Sequence, residues 1–118
     1  RRVIIFTAKK SSKSQKLKQL GCEIIEMENK NNKLNLKKIF TYLYKLKISD
    51  LLVEAGGILF ADLIKNKLVD EIHLFKSTIV IGENGKPAIL GKKIKDLNLN
   101  LTEIKKFKND QYFNYKVI

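Results

Sequence analysis

Leu51-Leu52-Val53-Glu54-Ala55-Gly56-Gly57, followed by Ile58 to Asn66 and then Val69-Asp70-Glu71-Ile72-His73-Leu74-Phe75, decides how this chain folds. The apolar triplet Leu51-Leu52-Val53 reads as a strand buried on both faces, as in parallel sheets. The paired glycines read as a strand-to-helix turn. The run after them predicts a helix over 58–67, with Leu59 and Leu63 toward the core. Strand, turn, helix and strand in that order describe a parallel α/β unit. At the carboxyl end of such a strand, backbone N–H groups and a charged side chain meet where α/β sheets bind ligands.

The residue types at this turn carry chemistry. Gly56 and Gly57 lack Cβ atoms, so a ligand can approach the backbone closely. The helix that follows offers free N–H groups and a partial positive end, suited to phosphate or pyrophosphate. A tight turn alone would also call for two glycines. Glu54, at the end of a Leu-Leu-Val strand, is expected to be partly buried, and a buried charge needs a partner. That partner is either a protein Lys or N–H or a polar substrate group. Asp70 and Glu71 point to opposite faces of the next strand, so they read as a turn cap and a solvated or salt-bridged residue. His73, in mid-strand, reads as structural or exposed. Thr7, at the exit of the first strand, is expected at the same sheet edge as Glu54; its hydroxyl either reaches a ligand or bonds its own backbone. There is no nucleophile elbow, P-loop lysine motif or Ser/His/Asp order. An enzyme built on these residues needs a bound cofactor to carry the reaction.

Outward from this stretch, Val3-Ile4-Ile5-Phe6-Thr7 predicts a buried strand. Ser14 caps a short helix that Gly21 ends, and Glu23-Ile24-Ile25-Glu26 is a second strand. Asn29 to Lys33 reads as a polar loop. Asn35 caps a helix over 36–47 that places Ile39, Phe40, Leu43 and Leu46 on one face. The final third is strand-rich from Val69 to Ile81. It reaches a loop at Gly82-Glu83-Asn84-Gly85, then Leu97-Asn98-Leu99-Asn100-Leu101 at strand period. Asn109-Asp110 turns Thr102–Phe107 into Tyr112–Ile118 as an antiparallel hairpin.

Composition narrows the classes. The 118 residues, 44% hydrophobic, make at most one globular domain. No apolar run approaches the roughly 20 residues that span a bilayer. Entry into a strand at Val3 predicts no signal peptide, and the lack of an initiator Met predicts a piece of a longer protein. A net charge of +12 invites a nucleic-acid reading. Apart from Arg1 and Arg2, however, the positive charge is all Lys, spread evenly along the chain, and Arg supplies the bidentate contacts to phosphate and bases. The charge reads as a solvated surface that helps draw in phosphorylated substrates. One cysteine, Cys22, and one histidine make neither a disulfide nor a zinc site, and Cys22 reads as a small buried residue of a cytoplasmic chain.

Leu52-Val53-Glu54-Ala55-Gly56, then Phe60-Ala61, Leu68-Val69-Asp70-Glu71-Ile72 and Ile79-Val80-Ile81-Gly82, stand in an order and spacing that resemble one family. It is the reductase domain at the C-terminus of bacterial bifunctional riboflavin-biosynthesis deaminase/reductase proteins. The resemblance implies an α/β, dihydrofolate reductase-like three-layer sandwich with a mixed, mostly parallel sheet and a C-terminal antiparallel hairpin. Residues 1–118 would form one N-terminally truncated domain, the family's earlier strands and a zinc deaminase domain (His-x-Glu, Pro-Cys-x-x-Cys) lying upstream. It implies NADPH-dependent reduction of 5-amino-6-(5-phosphoribosylamino)uracil by hydride transfer to ribosyl C1′. By that analogy Glu54 contacts the substrate. Gly56, Gly57, Ile58, Leu59, Phe60, Ala61 and Asp62 hold the cofactor phosphates, with Thr7 beside the cofactor and no metal. Ala55, where the family often has Gly, and Thr78, where it commonly has Pro, depart from the pattern. Two alternatives stand beside this reading: a pteridine or dihydrofolate-type reductase, and a basic nucleic-acid-binding module without catalysis. The terminal hairpin offers edges that a homodimer could pair.

Overall fold

The structure is a computed structural model that describes residues 2–27, 29–30, 33–91 and 97–118. Arg1, and Asn31 and Asn32 of the expected polar loop, lie outside the described residues. The chain forms two compact units, residues 1–52 and 53–118.

The first unit begins with the expected β-α-β element. Strand β1 (Ile4–Thr7), helix α1 (Ser12–Gln19) and strand β2 (Glu23–Glu26) place β1 and β2 in parallel, with Ile5 opposite Ile24 and Phe6 opposite Ile25. Ser11, not Ser14, caps α1. The Ser14 N–H donates to Ser11 Oγ at 3.1 Å, and the Ser11 N–H donates back to Ser14 Oγ at 2.8 Å. That reciprocal pair puts Ser14 in the third helical position, where Glu or Gln usually completes a capping box. Gly21, at φ +88°, ends the helix in the left-handed region. Cys22 is half-buried rather than buried. Around the expected polar loop, β3 (Asn29–Lys30) and β4 (Lys33–Leu34) instead pair antiparallel. Helix α2 (Leu36–Lys45) starts at Asn35 as the sequence predicts, and its Tyr42 meets Phe6 of β1 edge-on, with centroids 5.7 Å apart.

The second unit holds helix α3 (Gly57–Lys65), strand β5 (Glu71–Lys76), a 3-10 turn (Gly82–Asn84), and strands β6 (Leu99–Phe107) and β7 (Asp110–Val117). These strands form an antiparallel sheet in the order β5-β7-β6, so the expected terminal hairpin is present. Among the described residues the parallel part of the mixed architecture is the β1–β2 pair alone; the β3–β4, β5–β7 and β6–β7 pairs are antiparallel, so these strands are not mostly parallel as expected. Thr102 is an unpaired bulge between Leu101 and Glu103. It lets Leu99, Leu101 and Ile104 all stand opposite Val117, Tyr115 and Phe113 on one sheet face. Strand period breaks at Thr102 while the apolar face does not, so one strand reads in sequence as two.

Three expectations change here. Leu51-Leu52-Val53 is not a strand: it joins no ladder among the described residues, and Leu52 is 79% exposed. A strand is made by its neighbours, and an apolar run without a paired neighbour has no ladder to enter. Strand β5 stops at Lys76, and Ile79 to Ile81 beyond it are exposed. On α3 the buried apolar residues are Ala61, Leu63 and Ile64, whereas Leu59 is 40% exposed. Leu63 is thus in the core as expected; Leu59, on the same face one turn earlier, lies in the exposed first turn of the helix beside Ile58.

Candidate functional site

The start of α3 lacks the side-chain cap that α1 and α2 have. Gly56 is its N-cap, in extended conformation at φ −73° and ψ 165°, and no side chain caps it. The first intrahelical bond at this end is donated by the Phe60 N–H to the Gly56 carbonyl, 3.0 Å away. The N–H groups of Gly57, Ile58 and Leu59 therefore precede the helical ladder. Among the described residues no backbone carbonyl accepts from them. The first turn carries no acidic residue, so the positive end of the helix is left uncompensated by a side chain. Phe60, Ala61 and Asp62 have N–H groups committed to the ladder, and the Ala61 side chain is buried. The free donors thus belong to the first part of the expected run, Gly57 to Leu59.

The two glycines separate in role. An added Cβ on Gly56 would meet nothing within 4 Å, so that position is open. On Gly57 it would lie 2.9 Å from the Pro87 carbonyl oxygen, 3.1 Å from that of Ala88 and 3.1 Å from the Leu90 nitrogen. Gly57 is small because the chain itself passes there. The Leu90 N–H also donates to the Gly57 carbonyl at 3.1 Å. Sequence inspection missed Pro87–Leu90 at this site. Pro87, the only proline of the chain, is the one local signal that the segment has a fixed course.

Glu54 stands two residues before Gly56 on the extended connection. It is exposed, not partly buried, because the segment it ends is not enclosed in a sheet. Among the described residues no side chain hydrogen-bonds or ion-pairs with its carboxylate. Thr7 ends β1 in the other unit; its Oγ1 donates to the Lys9 carbonyl at 2.8 Å and accepts from the Lys9 N–H at 3.4 Å, the local backbone pattern that its sequence allowed.

The remaining singled-out residues serve the sheet. His73 Nδ1 lies 2.7 Å from the Tyr112 hydroxyl, and the two rings stack 5.9 Å apart across β5 and β7. Glu71 accepts from Asn114 Nδ2 at 3.3 Å, and the Asp70 carbonyl accepts from the Val117 N–H at 2.9 Å. The acidic pair thus anchors the start of β5 to β7. At the first unit's edge, Arg2 forks onto Glu23 at 2.6 and 3.0 Å. The hydrogen bond and charge of Arg2 hold the Glu23 carboxyl below its usual range, and Glu23 raises Arg2 in return. No described helix is long and apolar enough to cross a membrane.

Residues 1–113 match the family described as RibD C-terminal domain. The chain belongs to that family. It is 30% identical over 100 residues to the 2,5-diamino-6-ribosylamino-4(3H)-pyrimidinone 5′-phosphate reductase of Aquifex aeolicus, a match over 80% of this chain and 44% of that protein. It is also 30% identical over 100 residues to the riboflavin biosynthesis protein RibD of the same organism, over 85% of this chain and 25% of the relative. The chain therefore spans less than half the length of these curated relatives. Among solved structures it resembles RibD of Acinetobacter baumannii with a TM-score of 0.80 at 19% identity, covering 98% of this chain and 31% of that one. A pyrimidine reductase-like protein of Corynebacterium diphtheriae gives a TM-score of 0.82 at 23% identity, over 98% of this chain and 50% of that one. These likenesses establish the fold as that of the RibD C-terminal domain.

Proposed function

We propose that this chain is part of a riboflavin-biosynthesis reductase that uses NADPH to reduce 5-amino-6-(5-phosphoribosylamino)uracil to its ribitylamino product. The observation that carries the reading is the family match over residues 1–113, together with identity to a relative named as a reductase of a ribosylaminopyrimidinone 5′-phosphate. The cofactor, when bound, supplies a hydride to ribosyl C1′. The chain's own part is to bind and orient. The uncapped start of α3, with N–H groups preceding the ladder at Gly57, Ile58 and Leu59 and open space at Gly56, fits the cofactor phosphates.

Glu54 has the complementary role. Its carboxylate, without a partner among the described residues, would accept from a substrate hydroxyl or N–H just before the turn. Phe60, Ala61 and Asp62 support the turn rather than donate to phosphate, and a place for Thr7 beside the cofactor is what the family resemblance implies. The zinc deaminase domain belongs to the full-length protein in this reading, as does the cytoplasmic setting. Glu54→Gln in the full-length enzyme is expected to lower turnover of the ribosyl substrate at least tenfold while cofactor affinity stays within twofold. Steady-state kinetics and fluorescence titration with NADPH measure the two. Undiminished turnover would remove Glu54 from the substrate site.

A further inference from the structure

We propose that Pro87–Leu90 is a positioning strap for the cofactor site, and that it acts through one backbone bond, from the Leu90 N–H to the Gly57 carbonyl. The proposal rests on the cofactor reading above and concerns how the donor set is aimed. The Gly57 carbonyl and the Ile58 N–H belong to one planar peptide unit. Fixing the carbonyl at one end of that plane fixes the direction of the N–H at the other. The bond from Leu90, 3.1 Å long, pins the plane whose N–H is the central member of the set Gly57, Ile58 and Leu59. A carbonyl at this position also accepts from the helical N–H four residues on, and a doubly engaged carbonyl polarises its amide into a better donor.

The packing explains why the strap can sit there. Its approach is backbone against backbone, at distances that leave no room for a Cβ on Gly57. Neighbouring Gly56 has no such neighbour, so the strap covers one glycine and leaves the other open to a ligand. Leu90 never needs to touch the ligand. It is a positioning residue, and only its main-chain N–H matters.

The test removes that N–H and keeps the side chain; the ester that replaces the amide also weakens the Ile89 carbonyl as an acceptor, but among the described residues no backbone N–H donates to it. In the full-length protein, leucic acid placed at position 90 by nonsense suppression replaces the amide N–H with an ester oxygen, and Leu90→Ala keeps the N–H while removing the side chain. The ester is expected to raise the NADPH dissociation constant and KM several-fold, because the Ile58 N–H is no longer held in line before the cofactor arrives, with kcat at saturating cofactor unchanged. Leu90→Ala is expected to stay within twofold. Gly57→Ala, which displaces the strap, should reproduce the ester's rise in KM, and should add little when the two are combined. An ester variant that binds NADPH like the parent overturns the strap, as does a loss confined to melting temperature or shared equally by Leu90→Ala. Should Gly57→Ala fail to fold, the ester and Leu90→Ala decide alone. A parent protein that binds no NADPH overturns the cofactor reading itself, a result distinct from any ordering among variants.

Discussion

Helices α2 and α3 begin in opposite ways. At α2 the Asn35 side chain accepts from the Lys38 N–H at 3.2 Å, so the helix meets one of its own orphan donors from within. At α3 a glycine stands in the same position and offers nothing. Helix α1, with its reciprocal serines, is of the α2 kind. Two of the three described α-helices thus meet an orphan donor with a side chain and the third does not; in the proposed reading the free donors of α3 serve the cofactor phosphates.

The contrast breaks most sharply at Gly56. Gly56→Val places a branched side chain in the open space and should raise the NADPH dissociation constant of the full-length enzyme at least tenfold, measured by fluorescence titration; unchanged affinity would put the phosphate site elsewhere. Gly56→Asp turns α3 into a helix of the α2 kind. Its carboxylate should raise stability by a few tenths of a kcal/mol while weakening cofactor binding several-fold, so thermal melts and titrations move in opposite directions. Asn35→Ala makes the converse change and should cost about 1 kcal/mol of stability in denaturant unfolding with cofactor affinity untouched. The smallest effect belongs to the exposed Arg2–Glu23 fork. Because the Glu23 carboxyl is held below its ordinary range, its contribution is present above that range and disappears as pH falls through the lowered folded value. Glu23→Gln should therefore melt slightly below the parent at neutral pH and together with it in strong acid.

Local signals in the sequence carried a large part of this architecture. The parallel β1–α1–β2 unit, the Asn35 cap, the α3 helix and the terminal hairpin all follow from period, caps and turns within a few residues. The departures share a different cause. Leu51-Leu52-Val53 and the burial of Glu54 depend on partners distant in sequence, which an apolar run cannot name. The strap escaped because its contact with Gly57 is backbone to backbone across 30 positions, and backbone atoms leave no residue-type signature. Gly57 looked like a second ligand-facing glycine for that reason: an absent Cβ says that something comes close, without saying what.

The bulge at Thr102 has a consequence for how the hairpin tolerates changes in length. Removing Thr102 would leave Leu101 followed directly by Glu103, and every remaining β6 residue would keep its partner on β7. The loss would be the hydrogen bond from Thr102 Oγ1 to the Asn114 carbonyl, 3.0 Å long, and the local kink. A deletion at Asn100 without such compensation would instead turn Leu99 to the opposite face, because the turn after Phe107 holds the register of the rest of β6. Where relatives of this chain are one residue shorter in β6, the gap in the alignment belongs at Thr102.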